Sequence, residues 1–218
     1  MTSQTPADQS LETLQDIRRM MERSSRFISL SGLSGLSAGI CALIGAYIGH
    51  GWIMDYYAAG GYISRHGYLH DEAGDLKWRL VALAVAVLIA ALASSTWFTW
   101  RKARKSMLPI WDHASKRLLI NMLIPLIAGG LFVLGLLYHS DWEYVAPACL
   151  VFYGLALVNA SKYTLTDIRY LGLLEVLLGS ICMYYPHEGL YFWTAGFGVL
   201  HIIYGLIMWW KYEKRSSI

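Results

Sequence analysis

Charge is what this sequence has least of. Asp, Glu, Lys and Arg make up 15% of its 218 residues, where soluble domains carry about 25%. With 56% hydrophobic residues and a mean hydropathy of +0.41, that scarcity excludes an ordinary water-soluble domain and puts the chain in the membrane class. The net charge of +3 is too small for a bulk attraction to nucleic acid, and no nucleic-acid partner is expected. Cysteine is scarce as well. Cys41, Cys149 and Cys182 all lie in apolar runs. An odd count with no C-x-x-C excludes a disulfide framework or a zinc knuckle and leaves small packing residues. The first twenty residues are polar, with Asp8, Glu12 and Asp16, so no cleavable signal is expected there. Nucleophile elbow, Walker motif and Rossmann fingerprint are all missing. An enzyme would have to be built inside the membrane, and the balance points away from one.

What is present is a series of long apolar runs. A hydrocarbon core about 30 Å thick takes ~20 helical residues to cross. Six segments approach that length: Phe27–Trp52, Leu80–Trp100, Leu118–Tyr138, Val145–Ser161, Tyr170–Tyr185 and Leu190–Trp210. The fourth and fifth are short and must stand nearly upright. All nine tryptophans fall near a segment end or in a flanking loop, as headgroup-level rings do. Fifteen of the eighteen Lys and Arg fall on one side of these spans. The positive-inside rule makes that side the cytoplasm, with both termini in it.

The expected fold is therefore all-α: a six-transmembrane-helix bundle of three helical hairpins in a bacterial inner membrane. Residues 1–26 form a cytoplasmic tail, and residues 27–218 the membrane domain. Within the tail, Leu11, Leu14, Ile17, Arg18 and Met21 repeat at helical spacing behind Ser10. That pattern predicts an amphipathic interfacial helix over 10–26, suited to an anionic leaflet. The partners expected are the bilayer, anionic lipid at the cytoplasmic face, and a second copy of the chain in an oligomer.

The segments pair as hairpins, first with second, third with fourth and fifth with sixth. Each hairpin reaches the far side with an aromatic and a histidine: AYIGHGW, LYHSDW and YYPHEGLYFW. Glycines recur six or seven apart before each turn (Gly39 and Gly45, Gly129 and Gly135, Gly172 and Gly179). The first connection, Ile53 to Arg79, reads as a long loop insertion. The last hairpin, with Gly172, Gly179, Pro186, Gly198 and Gly205, resembles the repeat unit of the HdeD-like acid-resistance membrane proteins. The third and fourth segments match it more loosely through Gly129, Gly135 and Gly154, and the first pair departs because of its long loop. The resemblance implies a six-helix bundle linked to envelope stress and carries over no catalytic residue. The run MERSSRFISLSGLSG is similar to small bacterial membrane proteins of unknown role.

Glycines 32, 35 and 39 look at first like a phosphate loop, but no strand precedes them and no Lys–Ser/Thr ends the run. Two later helices repeat the spacing with an ionisable residue in the middle: Gly172-x-x-Glu175-x-x-x-Gly179 and Gly198-x-x-His201-x-x-x-Gly205. Residues at i, i+3 and i+7 share a helix face, and small residues there let another backbone come close. Counted at 1.5 Å per residue, Gly35, Glu175 and His201 lie ~8–13 Å from their cytoplasmic ends. The expectation is a buried Glu175–His201 pair, with the glycine stripe of the first helix packed over it and the stripes of helices one, five and six meeting. A carboxylate in mid-span costs roughly 2.5–3.5 kcal/mol, less when protonated or bonded to imidazole. Two roles fit: a proton or ligand site, or a structural bond worth about 0.6 kcal/mol. Ser95, Asn121 and Asn159 read as interhelical hydrogen bonders.

Five of the seven histidines fall on the far side: His50, His66, His70, His139 and His187. His66 and His70 have helical metal-ligand spacing, and His50, His139 and His187 sit at three turns. Interfacial polarity, pH sensing and a divalent metal all fit; no other cofactor is expected. Three functions follow: a non-enzymatic envelope-stress or accessory protein, a small proton-linked transporter or channel-like module using Glu175 and His201, and a far-face metal-dependent enzyme. The topology has a direct check. A reporter fused at either terminus is expected to report the cytoplasm, and one fused in the Ile53–Arg79 connection the opposite side.

Overall fold

The computed structural model describes residues 31–59, 71–105, 107 and 111–214. The amphipathic segment 10–26, His66 and His70 lie outside them. Among the described residues every regular element is helical: α1 (Gly32–Ala58), α2 (Asp71–Lys105), α3 (His113–Tyr138), α4 (Val145–Ala160), α5 (Asp167–Cys182) and a final helix, α6. α6 runs without a break through four stretches. These are an α-helical opening (Gly189–Trp193), a π-helical stretch (Thr194–Leu200), an α-helical stretch (His201–Trp209) and a π-helical end (Trp210–Lys214).

Local chemistry fixes the helix starts. Ser31 is extended, and its hydroxyl accepts from the Leu33 N–H, capping α1. Asp112 and Ser115 form a reciprocal capping box at α3, at 2.7 and 2.9 Å. Pro147 sits in the first turn of α4, where no intrahelical N–H is lost. The Ile53–Arg79 connection differs from expectation. α1 continues to Ala58 and α2 begins at Asp71, so much of the expected loop is helix. The segment has no proline and stays helix-permissive up to Gly60–Gly61. An Asp75–Arg79 pair at 2.9 Å, one turn apart, supports the start of α2.

Among the described residues, five helices are long and apolar enough to cross a membrane: α1, α2, α3, α4 with the turn before it, and α6 with the turn before it. The protein is therefore read as a multi-pass membrane protein. α5 has 16 residues, ~24 Å of helix, and stops short of the ~30 Å core.

α1 packs along α2 and α6, and α4 packs along α3 and α5. Although α5 and α6 are consecutive, α5 lies mainly against α4 and α6 mainly against α1. Glycine decides these contacts, because lipid supplies no hydrophobic drive between helices and close backbone packing must. A Cβ on Gly39 would lie 2.7 Å from the Gly198 carbonyl oxygen, and one on Gly32 2.6 Å from that of Gly205. Gly154 and Gly172 oppose each other the same way, at 2.6 and 2.7 Å from each other's carbonyl oxygen. A Cβ on Gly179 would lie 2.9 Å from the Pro147 carbonyl oxygen. The expectation that the stripes of helices one, five and six meet is thus corrected. Those of α1 and α6 meet, whereas Gly172 and Gly179 of α5 pack on α4, where Gly154 opens a matching gap.

Large apolar side chains point outward: Ile89, Leu131 and Leu134 are each more than 60% exposed. Inside lie small and polar ones, the reverse of a soluble core. A cluster of Leu157, Ile168, Leu171 and Met208 fills the basic end of the bundle. Ser95 donates to the Ser34 carbonyl (3.0 Å) and Asn159 to the Asn121 carbonyl (2.7 Å), joining α2 to α1 and α4 to α3. The Asn121 amide itself donates within its own helix, to Arg117. At the same end, Glu213 accepts from the Gly32 N–H (2.7 Å) and the Ser31 hydroxyl (3.1 Å), and lies 3.4 Å from the Lys102 ammonium. Asp167 accepts from Lys211 and Tyr212, both at 2.8 Å, holding α5 to the end of α6.

The seam is testable by a Cβ of known consequence. In Gly205→Ala the new methyl runs into the Leu36 N–H and lies 2.8 Å from the Gly32 carbonyl oxygen. A loss of roughly 1–3 kcal/mol in reversible unfolding is expected. In Gly135→Ala the methyl meets nothing within 4 Å, so stability should hold or rise by up to ~1 kcal/mol.

Candidate functional site

Glu175 lies halfway along α5 on the face that carries Gly172 and Gly179. Those glycines draw α4 in, and α6 closes the third side. The side chain is 0% exposed, and His201 of α6 is 6% exposed. The His201 Nδ1 lies 3.4 Å from Glu175 Oε1.

The imidazole has two closer partners. The Tyr153 hydroxyl from α4 is 2.8 Å from Nε2, and the Gly196 carbonyl is 3.0 Å from Nδ1. A carbonyl can only accept, and a phenol can donate. The Gly196 carbonyl therefore puts a proton on Nδ1, which donates to it, and in the neutral ring Tyr153 donates to Nε2. Glu175 Oε1 lies within ion-pair range of Nδ1, but a ring with a single proton carries no charge and the approach does not make a hydrogen bond. Neither of its carboxyl oxygens has a hydrogen-bond partner among the described residues. A desolvated carboxyl without a donor is costly in any low-dielectric interior. Here it stands beside a ring that already holds a proton.

Gly196 shapes the chamber. A Cβ there would lie 2.5 Å from Glu175 Oε2 and would run into Leu150. Leu150, 0% exposed, completes an apolar wall. On the other side a run of rings leads away from the imidazole. Phe197 stacks on His201 (6.0 Å between centroids, 23°) and touches Tyr153 (5.1 Å), and Trp193 touches Phe197 (5.2 Å). Between α5 and α6 runs an apolar groove of about 250 Å³, lined by Leu174, Leu178, Ala195 and Val199 among others. Acyl chains suit it better than a polar solute.

The other sequence candidates fall as follows. A Cβ on Gly35 would lie 3.4 Å from the His201 carbonyl oxygen and 3.3 Å from the Gly205 Cα, so the α1 stripe crosses α6 at the level of the imidazole. On the far side the His50 ring lies 6.1 Å from that of Tyr191, and His139 lies 5.2 Å from Tyr138. His187 sits in the Pro186–Glu188 turn. No three His, Cys, Asp or Glu side chains gather at metal-binding range among the described residues. The reading in which His50, His139 and His187 converge on a metal is not what this arrangement displays. Cys41, Cys149 and Cys182 are free thiols.

Sequence reading missed Tyr153 and Gly196. Tyr153 did leave a signal: it is a tyrosine in the middle of the Val145–Ser161 run, where tyrosines usually mark the borders. Gly196 left none, since it falls outside the seven-residue glycine spacing. The chain matches no family model, no curated protein and no solved structure.

The tautomer assignment predicts a spectroscopic result. In the full-length protein, ¹⁵N resonances of His201 should report a single neutral tautomer protonated at Nδ1. Tyr153→Phe removes the donor to Nε2 and should give a mixture. An unchanged imidazole in that variant would show that Tyr153 does not orient the ring.

Proposed function

We propose that this chain is a six-span inner-membrane protein with both termini in the cytoplasm, non-enzymatic, and that it works by binding and releasing a proton at Glu175 and His201. Small proton-linked transport, or a proton-sensing accessory role in the envelope, is the activity this reading assigns. The observation that carries it is the Glu175 carboxyl: wholly buried, without a hydrogen-bond donor among the described residues, and 3.4 Å from an imidazole nitrogen.

The chemistry has two states. With a proton on Glu175, the site is neutral: carboxyl, imidazole and phenol. Without it, a carboxylate faces the Nδ1–H, and the pair gains from a charge-assisted bond. Burial makes these states differ by kcal/mol amounts, so the site senses whether a proton is present. Glu175 is the group that takes and releases the proton, His201 answers the carboxylate with its Nδ1–H, and Tyr153 is a positioning residue that holds the ring at Nε2. α5 needs only a slight extension, or a locally thinned bilayer, to serve as the sixth span. The resemblance of the last hairpin to acid-resistance membrane proteins fits the envelope-stress setting of this reading.

A structural bond is the competing reading, favoured by the tight glycine seams on both sides of the site. Vesicles separate the two. Protein reconstituted into liposomes under an imposed pH gradient should change the decay of a lumenal pH dye. Glu175→Gln and His201→Asn should abolish that change, with Glu175→Gln costing less than about 1 kcal/mol of stability. Wild-type dye decay with Glu175→Gln, accompanied only by lower stability, would leave the pair as a structural bond.

A further inference from the structure

A buried carboxyl exchanges its proton through water or through groups that can both take a proton and give one. Around Glu175 such groups are unevenly spread. Toward the far side its own α5 face continues with Gly179 and Cys182. α4 closes on that face with Leu150 and with the Pro147 carbonyl oxygen, 2.9 Å from a Cβ placed on Gly179. Leu150, Pro147 and Cys182 are wholly buried, and none of the three carries a hydroxyl, a carboxyl or a ring nitrogen. On α6 in the same direction, the Trp193 indole can donate but cannot accept. The Thr194 hydroxyl is turned to its own helix, donating to the Leu190 carbonyl at 2.6 Å.

Toward the basic end hydroxyls follow one another. Tyr153 bonds to His201 Nε2 at 2.8 Å. It packs against the cluster of Leu157, Ile168, Leu171 and Met208 together with Tyr204 and Tyr212. His201, Tyr204, Met208 and Tyr212 recur at helical spacing along one α6 face. The Tyr204 hydroxyl lies within reach of the Asp167 charge and of Tyr170, both on α5. Tyr212 and Lys211 each donate to Asp167 at 2.8 Å, and the Lys211 side chain is 48% exposed. We propose that in this conformation Glu175 exchanges its proton with the basic side of the membrane, along Tyr153 and Tyr204 to the Asp167–Lys211–Tyr212 cluster, and is closed to the far side. The proposal rests on the proton site above and names the face that fills it.

The step balances. On release the Glu175 O–H breaks, an O–H forms on water at the basic face, and every group between ends with as many protons as it began with. Phenols suit such a line because they donate and accept while staying neutral, so no bare charge crosses the apolar interior. Asp167 and Glu175 stand eight residues apart on α5, ~12 Å of helix. One hop does not cover that length, and Tyr204 breaks it into shorter ones. The titratable groups that face Glu175 are His201 from α6 and Tyr153 from α4, and α1 crosses α6 at this level on Gly35. Those that face Tyr204 are Asp167 and Tyr170.

Sealed vesicles carrying the full chain, sorted by whether a C-terminal tag is accessible from outside, test the route. The external pH is jumped with an impermeant buffer. Infrared spectroscopy follows the carboxyl C=O band that is lost in Glu175→Gln. With the tag outside, the band is expected to respond roughly tenfold faster, or more, than with the tag inside. In tag-inside vesicles the fast response should return once a protonophore carries the jump to the lumen. Tyr204→Phe keeps the ring and removes the hydroxyl. It should slow the tag-outside response by about tenfold and leave its final amplitude unchanged. Equal rates in the two orientations, a faster response with the tag inside, or a wild-type rate in Tyr204→Phe each overturn the route and leave the proton site standing. A carboxyl band that titrates in neither orientation, even with the protonophore, removes both.

Discussion

Two helix backbones can touch only where side chains are missing, and in lipid that contact carries much of the association that burial would supply in water. Here the absence of Cβ atoms sets which helices are neighbours. Gly32 and Gly39 seat α1 on Gly205 and Gly198 of α6, and Gly154 and Gly172 seat α4 on α5. Each seam would be forced apart by a single methyl. α6 belongs to the first seam and stands beside the second, so it joins the two halves of the bundle.

The buried acid follows from that placement. Glu175 shares a face with Gly172 and Gly179, so the approach that brings α4 in also takes the carboxyl out of lipid. His201 rises from α6 at the level where Gly35 crosses it. Tyr153 on α4 is the third contributor, and Gly196 leaves the space the carboxyl fills. The chamber is small, apolar on the Leu150 side and aromatic on the Phe197 side. A proton fits this chemistry better than a larger solute, since the carboxyl is wholly enclosed and fills the space that Gly196 leaves.

Much of this was legible in the amino-acid order, and the parts that were not have physical reasons. Long apolar runs and border tryptophans identify membrane-crossing helices, because lipid penalises any other backbone state. The Gly-x-x-ionisable-x-x-x-Gly spacing singles out Glu175 and His201, because a three-and-four spacing marks one helix face. That spacing says which face is small without saying which helix will lie on it, so the partner of Gly172 and Gly179 was assigned to α1 in place of α4. The Ile53–Arg79 connection read as loop because it is less apolar than its flanks, although nothing before Gly60 stops a helix. The π turns have no hydropathy signature, since one added residue per turn leaves an all-apolar run all apolar. His201's bond to Gly196 is visible only in coordinates.

The central claim is that the carboxyl of Glu175 and the imidazole of His201 form one energetic unit enclosed by the seams. A double-mutant cycle tests it most directly, with Glu175→Met, His201→Phe and the pair combined, each unfolded reversibly in bicelles. Coupling is expected at roughly 0.6–1.7 kcal/mol, the range found for interhelical polar contacts in membranes. Additive costs, equal within error to the sum of the two single changes, would show that the two groups stand side by side without interacting and would contradict the account.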